Sequence, residues 1–207
     1  MAIRIRKAVM LAGLCLLLLS ACSPGWKAEE MRVTPVKLFK GSERKYSPFL
    51  GRLSGSVKIH YRGDRDGMRI EADVWEDGEK TRTFEITSMS NKPANGKTDK
   101  KPNAADHELI FSAEPVIAEG ADTNYDFTTV VVVKDGLSSM NEIIEGSGPY
   151  MGSGLIEHVK AFDGDPAGKT PLWGFQSTDR NAMRSVDFTP ETLKRVRFAI
   201  VINAVVE

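Results

Sequence analysis

The sequence predicts an all-β fold, an antiparallel β-sandwich of broadly immunoglobulin-like architecture with one or two short helices. Three observations predict it. Apolar and polar residues alternate with a period of two in run after run. Clusters of Gly, Pro, Asp and Asn separate those runs at short intervals. One run, Val130-Val131-Val132-Val133, is a block of β-branched residues of the kind that fills a strand covered on both faces. A closed barrel of the same strands is the alternative.

The elements follow in chain order. Met31–Phe39 alternates through Val33, Val36 and Leu38. Leu53–Tyr61 places Val57, Ile59 and Tyr61 on one face and Ser56, Lys58 and His60 on the other. Met68–Trp75 repeats the pattern with Met68, Ile70, Ala72 and Val74. The turn formers Arg62-Gly63-Asp64-Arg65-Asp66-Gly67 join these two runs as a hairpin. Glu76-Asp77-Gly78-Glu79 leads into Thr81–Met89, which carries Phe84 and Ile86. Asn91–Ala105 is rich in Lys, Pro and Gly and reads as a surface loop. Glu108–Ala113 and Tyr125–Val133 are strand-like. Ser138–Glu145 reads as a short helix, with Ser139 at the N-cap and Glu142 three residues on. Gly146–Gly154 reads as a loop, and Leu155–Phe162, Leu172–Gln176 and Met183–Phe188 as short strands. Thr189-Pro190-Glu191 signals a single helical turn. Val196–Val206 is the strongest apolar run near the end and suits a central strand.

The first 22 residues have a different character. Met1–Lys7 carries Arg4, Arg6 and Lys7 without an acid, Ala8–Leu19 is apolar, and Ser20-Ala21-Cys22 is a small-residue exit ending in a thiol. A charged start, a short apolar run and such an exit fit an export signal, and the run is too short for a membrane-spanning helix. Leu19-Ser20-Ala21-Cys22 resembles the lipobox of bacterial lipoproteins. The resemblance covers only this segment and implies cleavage before Cys22, with lipid on its sulfur and its new amino group. Two or three acyl chains anchor a protein stably where one does not, at about 0.8 kcal/mol per buried methylene. The expected organisation is therefore a signal peptide over residues 1–21, a lipidated tether over 22–30 and one domain over 31–207. Ser23 resembles the residue of lipoproteins passed to the outer membrane, where the host has one.

The chain holds 28 basic and 28 acidic residues. Loss of Arg4, Arg6 and Lys7 with the signal leaves the remainder near −3, which argues against a nucleic-acid binder. Its charges are blocked. Residues 31–62 carry eight basic residues and one acid, and residues 102–166 twelve acids against two lysines. One reading sets the basic block against anionic headgroups; the other, favoured, has the two blocks interleaving as paired strands. The only cysteines are Cys15, which leaves with the signal, and Cys22, so no disulfide, thiolate nucleophile or cysteine metal site is expected.

Few motifs carry chemistry. Asp163–Thr170 ends in Gly168-Lys169-Thr170 like a phosphate loop, but Asp163 stands where that loop needs its first Gly. Asp64-Arg65-Asp66-Gly67 and Asp163-Gly164-Asp165 have too few oxygen ligands for a calcium loop. Arg62-Gly63-Asp64 spells an integrin tripeptide too short to mean much alone. His60, His107 and His158 lack metal-ligand spacing. No cofactor, metal or nucleotide is expected. Trp173 and Phe175, between polar turns and beside Gly-rich stretches, are the candidate recognition surface. The expected function is that of a membrane-anchored extracytoplasmic lipoprotein, held through lipid on Cys22, that binds an envelope protein or polymer without catalysis. The alternative is an extracytoplasmic hydrolase whose acids or histidine come together from distant strands.

Overall fold

The computed structural model describes residues 29–46, 51–92, 102–117, 122–133, 136–146 and 148–207. Among them are eleven strands, numbered in chain order: β1 (Glu30–Val36), β2 (Leu53–Gly63), β3 (Gly67–Glu76), β4 (Glu79–Ser90), β5 (Asn103–Ile117), β6 (Thr123–Val133), β7 (Gly136–Ile144), β8 (Gly152–Glu157), β9 (Phe162–Asp163), β10 (Lys169–Thr178) and β11 (Phe198–Val206). A 3-10 turn covers Gly41–Tyr46, and one short helix, α1, covers Pro190–Leu193. The strands form two separate antiparallel sheets, of order β7-β6-β5-β2-β1-β9 and β4-β3-β11-β10-β8. The fold is thus the β-sandwich predicted, with two sheets rather than one closed barrel.

Alternation does the sorting. Val57, Ile59 and Tyr61 of β2 and Met68, Ile70, Ala72 and Val74 of β3 all enter the core between the sheets. The β3–β4 hairpin turns on Asp77 (φ 51°) and Gly78 (φ 82°), a two-residue loop with both residues left-handed. Gly78 is needed twice over, since a Cβ there would also overlap the backbone carbonyl of Lys194. Aromatic rings fill the centre: Phe111 stacks on Trp173 at 5.5 Å, Tyr125 on Phe198 at 5.3 Å, and Tyr125 meets Phe175 at 4.7 Å. The Tyr125 hydroxyl bonds Ser177 Oγ at 2.6 Å, and Ser177 bonds Ser153 at 2.7 Å, so this polar group is satisfied inside the core.

A second, smaller apolar cluster lies on the outer face of the five-stranded sheet. Ile156, Ala199 and Val201 meet Leu193 and Val196, with Val186, Phe188 and Trp75 against them. The connection from β10 to β11, which carries α1, supplies this cover. Among the described residues no such layer of aliphatics lies over the outer face of the six-stranded sheet, where Ile110, Val130 and Val132 are partly exposed.

Several expectations change. Ser138–Glu145 is not a helix but most of β7, paired with β6 from Tyr125↔Ile144 to Val133↔Gly136. Its apolar residues recur at helical spacing, but Asp135-Gly136 is a hairpin signal, and pairing with β6 decides. Met183–Phe188 forms no strand, because it lies across a sheet as cover instead of beside a strand. The glycines Gly152 and Gly154 sit within β8 rather than in a loop, and β5 begins at Asn103, inside the expected loop Asn91–Ala105. Val130–Val133 is not covered on both faces: Val131 is buried while Val130 and Val132 are partly open. The C-terminal run does form a central strand, β11.

Candidate functional site

Trp173 and Phe175 occupy inward positions of β10, paired with Ile202 and Ile200 of β11. They are 1% and 0% exposed, so these side chains form core, not the recognition surface the sequence suggested. The cause is a register shift between Pro171 and Trp173: Lys169 points outward to Glu71 and Asp73, and the irregularity turns Trp173 and Phe175 between the sheets. Cys22, the residue expected to carry lipid, and the signal peptide lie outside the described residues.

The Gly168-Lys169-Thr170 stretch has a structural job. Lys169 reaches across β11 and places Nζ 2.8 Å from both Glu71 Oε2 and Asp73 Oδ1 of β3. Asp73, 6% exposed, also accepts from Thr83 Oγ1 at 2.6 Å and Asn203 Nδ2 at 3.2 Å. Thr170 Oγ1 accepts from the amide of Asp165 at 2.8 Å and so fixes the preceding turn. Burial alone would raise the Glu71 carboxyl, but hydrogen bonds from Lys169 and Arg69 outweigh it and hold that group below its ordinary value. Burial would likewise lower Lys169, and its two carboxylate partners push it above its ordinary value.

The histidines have three separate environments. His60 bonds Asp106 at 2.8 Å on the exposed face of the six-stranded sheet. His107 bonds Asn91 Oδ1, and burial lowers its pKa. His158 donates from Nε2 to the carbonyl of Pro171, stacks between Phe162 and Phe188, and is also lowered by burial. Among the described residues no three His, Cys, Asp or Glu side chains converge as a metal site would require. The charge blocks interleave: Lys58 pairs with Glu108, Arg32 with Asp163 and His60 with Asp106.

Two surfaces have features that packing does not explain. The first is β7. A sandwich has four edge strands, and natural proteins blunt such edges with charge, shortness or bulges. The β4 edge carries Glu79, Lys80, Arg82 and Glu85, with two register shifts against β3. The β8 and β9 edges are short, at six and two residues. By contrast β7 has nine residues, one charge (Glu142), no proline and unbroken register with β6. Leu137 and Ile143 stand on it 70% and 57% exposed. Leu137 pairs with Val132, so the edge continues onto the partly open aliphatics of the sheet face. The misreading of this segment as a helix hid the edge from sequence reasoning; its lack of charge was the available signal.

The second surface is a cleft of about 600 Å³ where β8 faces β2 and the segment after β1. Val36, Leu38, Phe39, Leu155 and Val159 supply its apolar lining, and Lys37, Arg52 and Glu157 its charges. Gly55 of β2 also lines it. A Cβ on Gly55 would overlap the Trp173 indole edge at Nε1 and Cδ1, so the absence of a side chain there makes the room that the buried ring fills. Trp173 Nε1 is buried without a hydrogen-bond partner among the described residues. Glu157 is exposed, and partial desolvation raises its carboxyl above the ordinary value.

Comparison with protein-family models, with curated proteins and with solved structures gives no match for this chain.

Proposed function

We propose that this chain is a lipid-anchored, extracytoplasmic recognition protein of the bacterial envelope, and that its sandwich binds a protein partner by adding the partner's strand to β7. The lipobox-like Leu19–Cys22 segment supports the anchor. The observation that carries the recognition is the contrast between β7 and the other three edges. An unblunted edge is a template for strand addition, in which main-chain hydrogen bonds give affinity and side chains such as Leu137 and Ile143 give specificity.

The test is co-purification of the full-length protein from detergent-solubilised host envelopes. Leu137→Lys with Ile143→Lys places two cations on the edge at exposed positions. The variant is expected to recover the partner at least tenfold less well while melting at an unchanged temperature, since exposed substitutions cost little stability. Equal recovery by wild type and variant, or no partner with wild type, would sink the edge reading.

The anchor has its own check. Cys22→Ser is expected to leave the precursor uncut at this site and free of lipid, which mass spectrometry of the membrane fraction reads directly. Continued cleavage before residue 22 with firm membrane association would refute lipidation at Cys22.

A further inference from the structure

An open edge at β7 does not by itself specify the incoming strand, but the order of residues along β7 does. We propose that the incoming strand is β7 of a second copy of this chain, paired antiparallel about a two-fold axis at Met140. The inference rests on the edge reading above and names the partner. Pairing of this kind joins the six-stranded sheets of two copies into one continuous sheet.

The strand is self-complementary. It reads Gly136-Leu137-Ser138-Ser139-Met140-Asn141-Glu142-Ile143-Ile144, with Met140 in the middle. A two-fold axis perpendicular to the sheet, passing between the two Met140 residues, pairs all nine positions. Leu137 then faces Ile143 of the second copy, and Ile143 faces its Leu137. Ser139 faces Asn141, and Ser138 faces Glu142. Faces agree as well: Ile144 is buried and Met140 packs against the core, so Leu137, Ser139, Asn141 and Ile143 all lie on the outer side. Each apolar pair covers side chains that are 70% and 57% exposed in the single chain. Moving the axis by one residue destroys the match. At Ser139 it sets Leu137 on Asn141, at Asn141 it sets Ser139 on Ile143, and either move leaves two residues of β7 unpaired. Electrostatics permit the contact. Glu142, the one charge of β7, lies opposite a serine hydroxyl. The two Glu142 carboxylates stand four positions apart along the strands, about 13 Å, beyond the screening length of physiological salt. Growth also stops at two copies. Among the described residues the other edges are the short β8 and β9 and the charged, irregular β4, so none offers a second template. An edge about 30 Å long buries less than the ~1,600 Å² of a standard interface, so the dimer is expected to be reversible, with a Kd on the order of 10 μM.

The test is sedimentation equilibrium of the full-length protein in density-matched detergent, at about 1 μM and about 100 μM. Wild type is expected to show twice the single-chain mass at the higher concentration and mostly single chains at the lower. Leu137→Lys with Ile143→Lys opposes two cations at each apolar pair and is expected to stay monomeric at both. Leu137→Glu with Ile143→Glu opposes carboxylates and is expected to do the same. Mixed together under different tags, the two variants are expected to restore the dimer with one copy of each tag, because every pair then sets Lys against Glu. An unfolded variant could not be rescued in this way, and the Lys variant alone shows whether two copies merely share a micelle. Monomeric wild type at about 100 μM, a dimeric Lys variant, or a mixture that stays monomeric would each overturn the proposal. Monomeric wild type that still recovers another envelope protein, lost in the Lys variant, would overturn self-pairing while leaving the edge reading in place.

Discussion

Lys169→Met is expected to lower the unfolding free energy by about 2–3 kcal/mol at neutral pH, which denaturant titration measures as a shifted midpoint with unchanged slope. The substitution keeps the aliphatic stem and removes one cation from between two carboxylates. Glu71 and Asp73 lie two residues apart on the same face of β3, with side chains only 13% and 9% exposed. Removing a partner from such a pair leaves uncompensated buried charge, which costs about 3–5 kcal/mol when burial is complete. The Lys169 side chain is 31% exposed, and solvent screening reduces that figure. Asp73 retains Thr83 and Asn203, and Glu71 retains Arg69, which also limits the loss. The pH dependence has a definite sign. Glu71 is held below its ordinary 4.5, so its stabilisation is complete above that value and is lost as pH falls through the folded-state value. Lys169 is held above its ordinary 10.5, so its stabilisation is complete below that value and is lost as pH rises through its folded-state value. Wild type should therefore show a plateau between about 4.5 and 10.5 from this cluster. Lys169→Met should show a shallower acid limb, because Glu71 then has only Arg69. An acid limb identical to wild type would contradict the assignment.

Trp173→Ala is expected to cost about 3–5 kcal/mol, the range for truncating a large aromatic in a packed core. For a chain of this size that is a fall in melting temperature of roughly 10 °C or more. Phe111 stacks on the indole at 5.5 Å, Phe127 lies 6.2 Å away and Phe175 6.0 Å away, so the void would open in the middle of an aromatic cluster. Trp173→Phe separates packing from hydrogen bonding. It keeps a ring but removes the unpartnered Nε1–H, so its cost is expected to be much smaller than that of Ala. Thermal denaturation followed by circular dichroism reads both. A Trp173→Ala protein as stable as wild type would contradict the burial of this residue.

These residues also mark how much was legible beforehand. Alternation in β2, β3 and β4 was readable because one face of each meets the core and the other meets water or charge. The central place of β11 was readable because apolar residues fill nearly all of it. Three things were not. The orientation of Trp173 depends on the register of β10, and a shift of one residue would have turned the ring outward. The state of Ser138–Ile144 depends on β6 as neighbour, which local spacing does not report. The packing of the Trp173 indole on Gly55 joins β10 and β2, strands of different sheets, and no spacing along one strand encodes it. Of the candidate recognition residues, Trp173 and Phe175 were noticed for their size, yet in the structure that size fills the interior.

The position of β11 has a consequence for the order of assembly. Strand β11 lies between β3 and β10, so Phe198–Val206 must pair with Glu76–Met68 across more than half the sequence before the five-stranded sheet is whole. Hairpins such as β3–β4 and the β5–β6–β7 meander can close locally as they emerge. The five-stranded sheet cannot, because its middle strand, β11, lies more than half the sequence away from its partner β3. Such long-range pairing slows folding. It also makes completion of this sheet nearly all-or-none, because β4–β3 and β10–β8 meet only through β11.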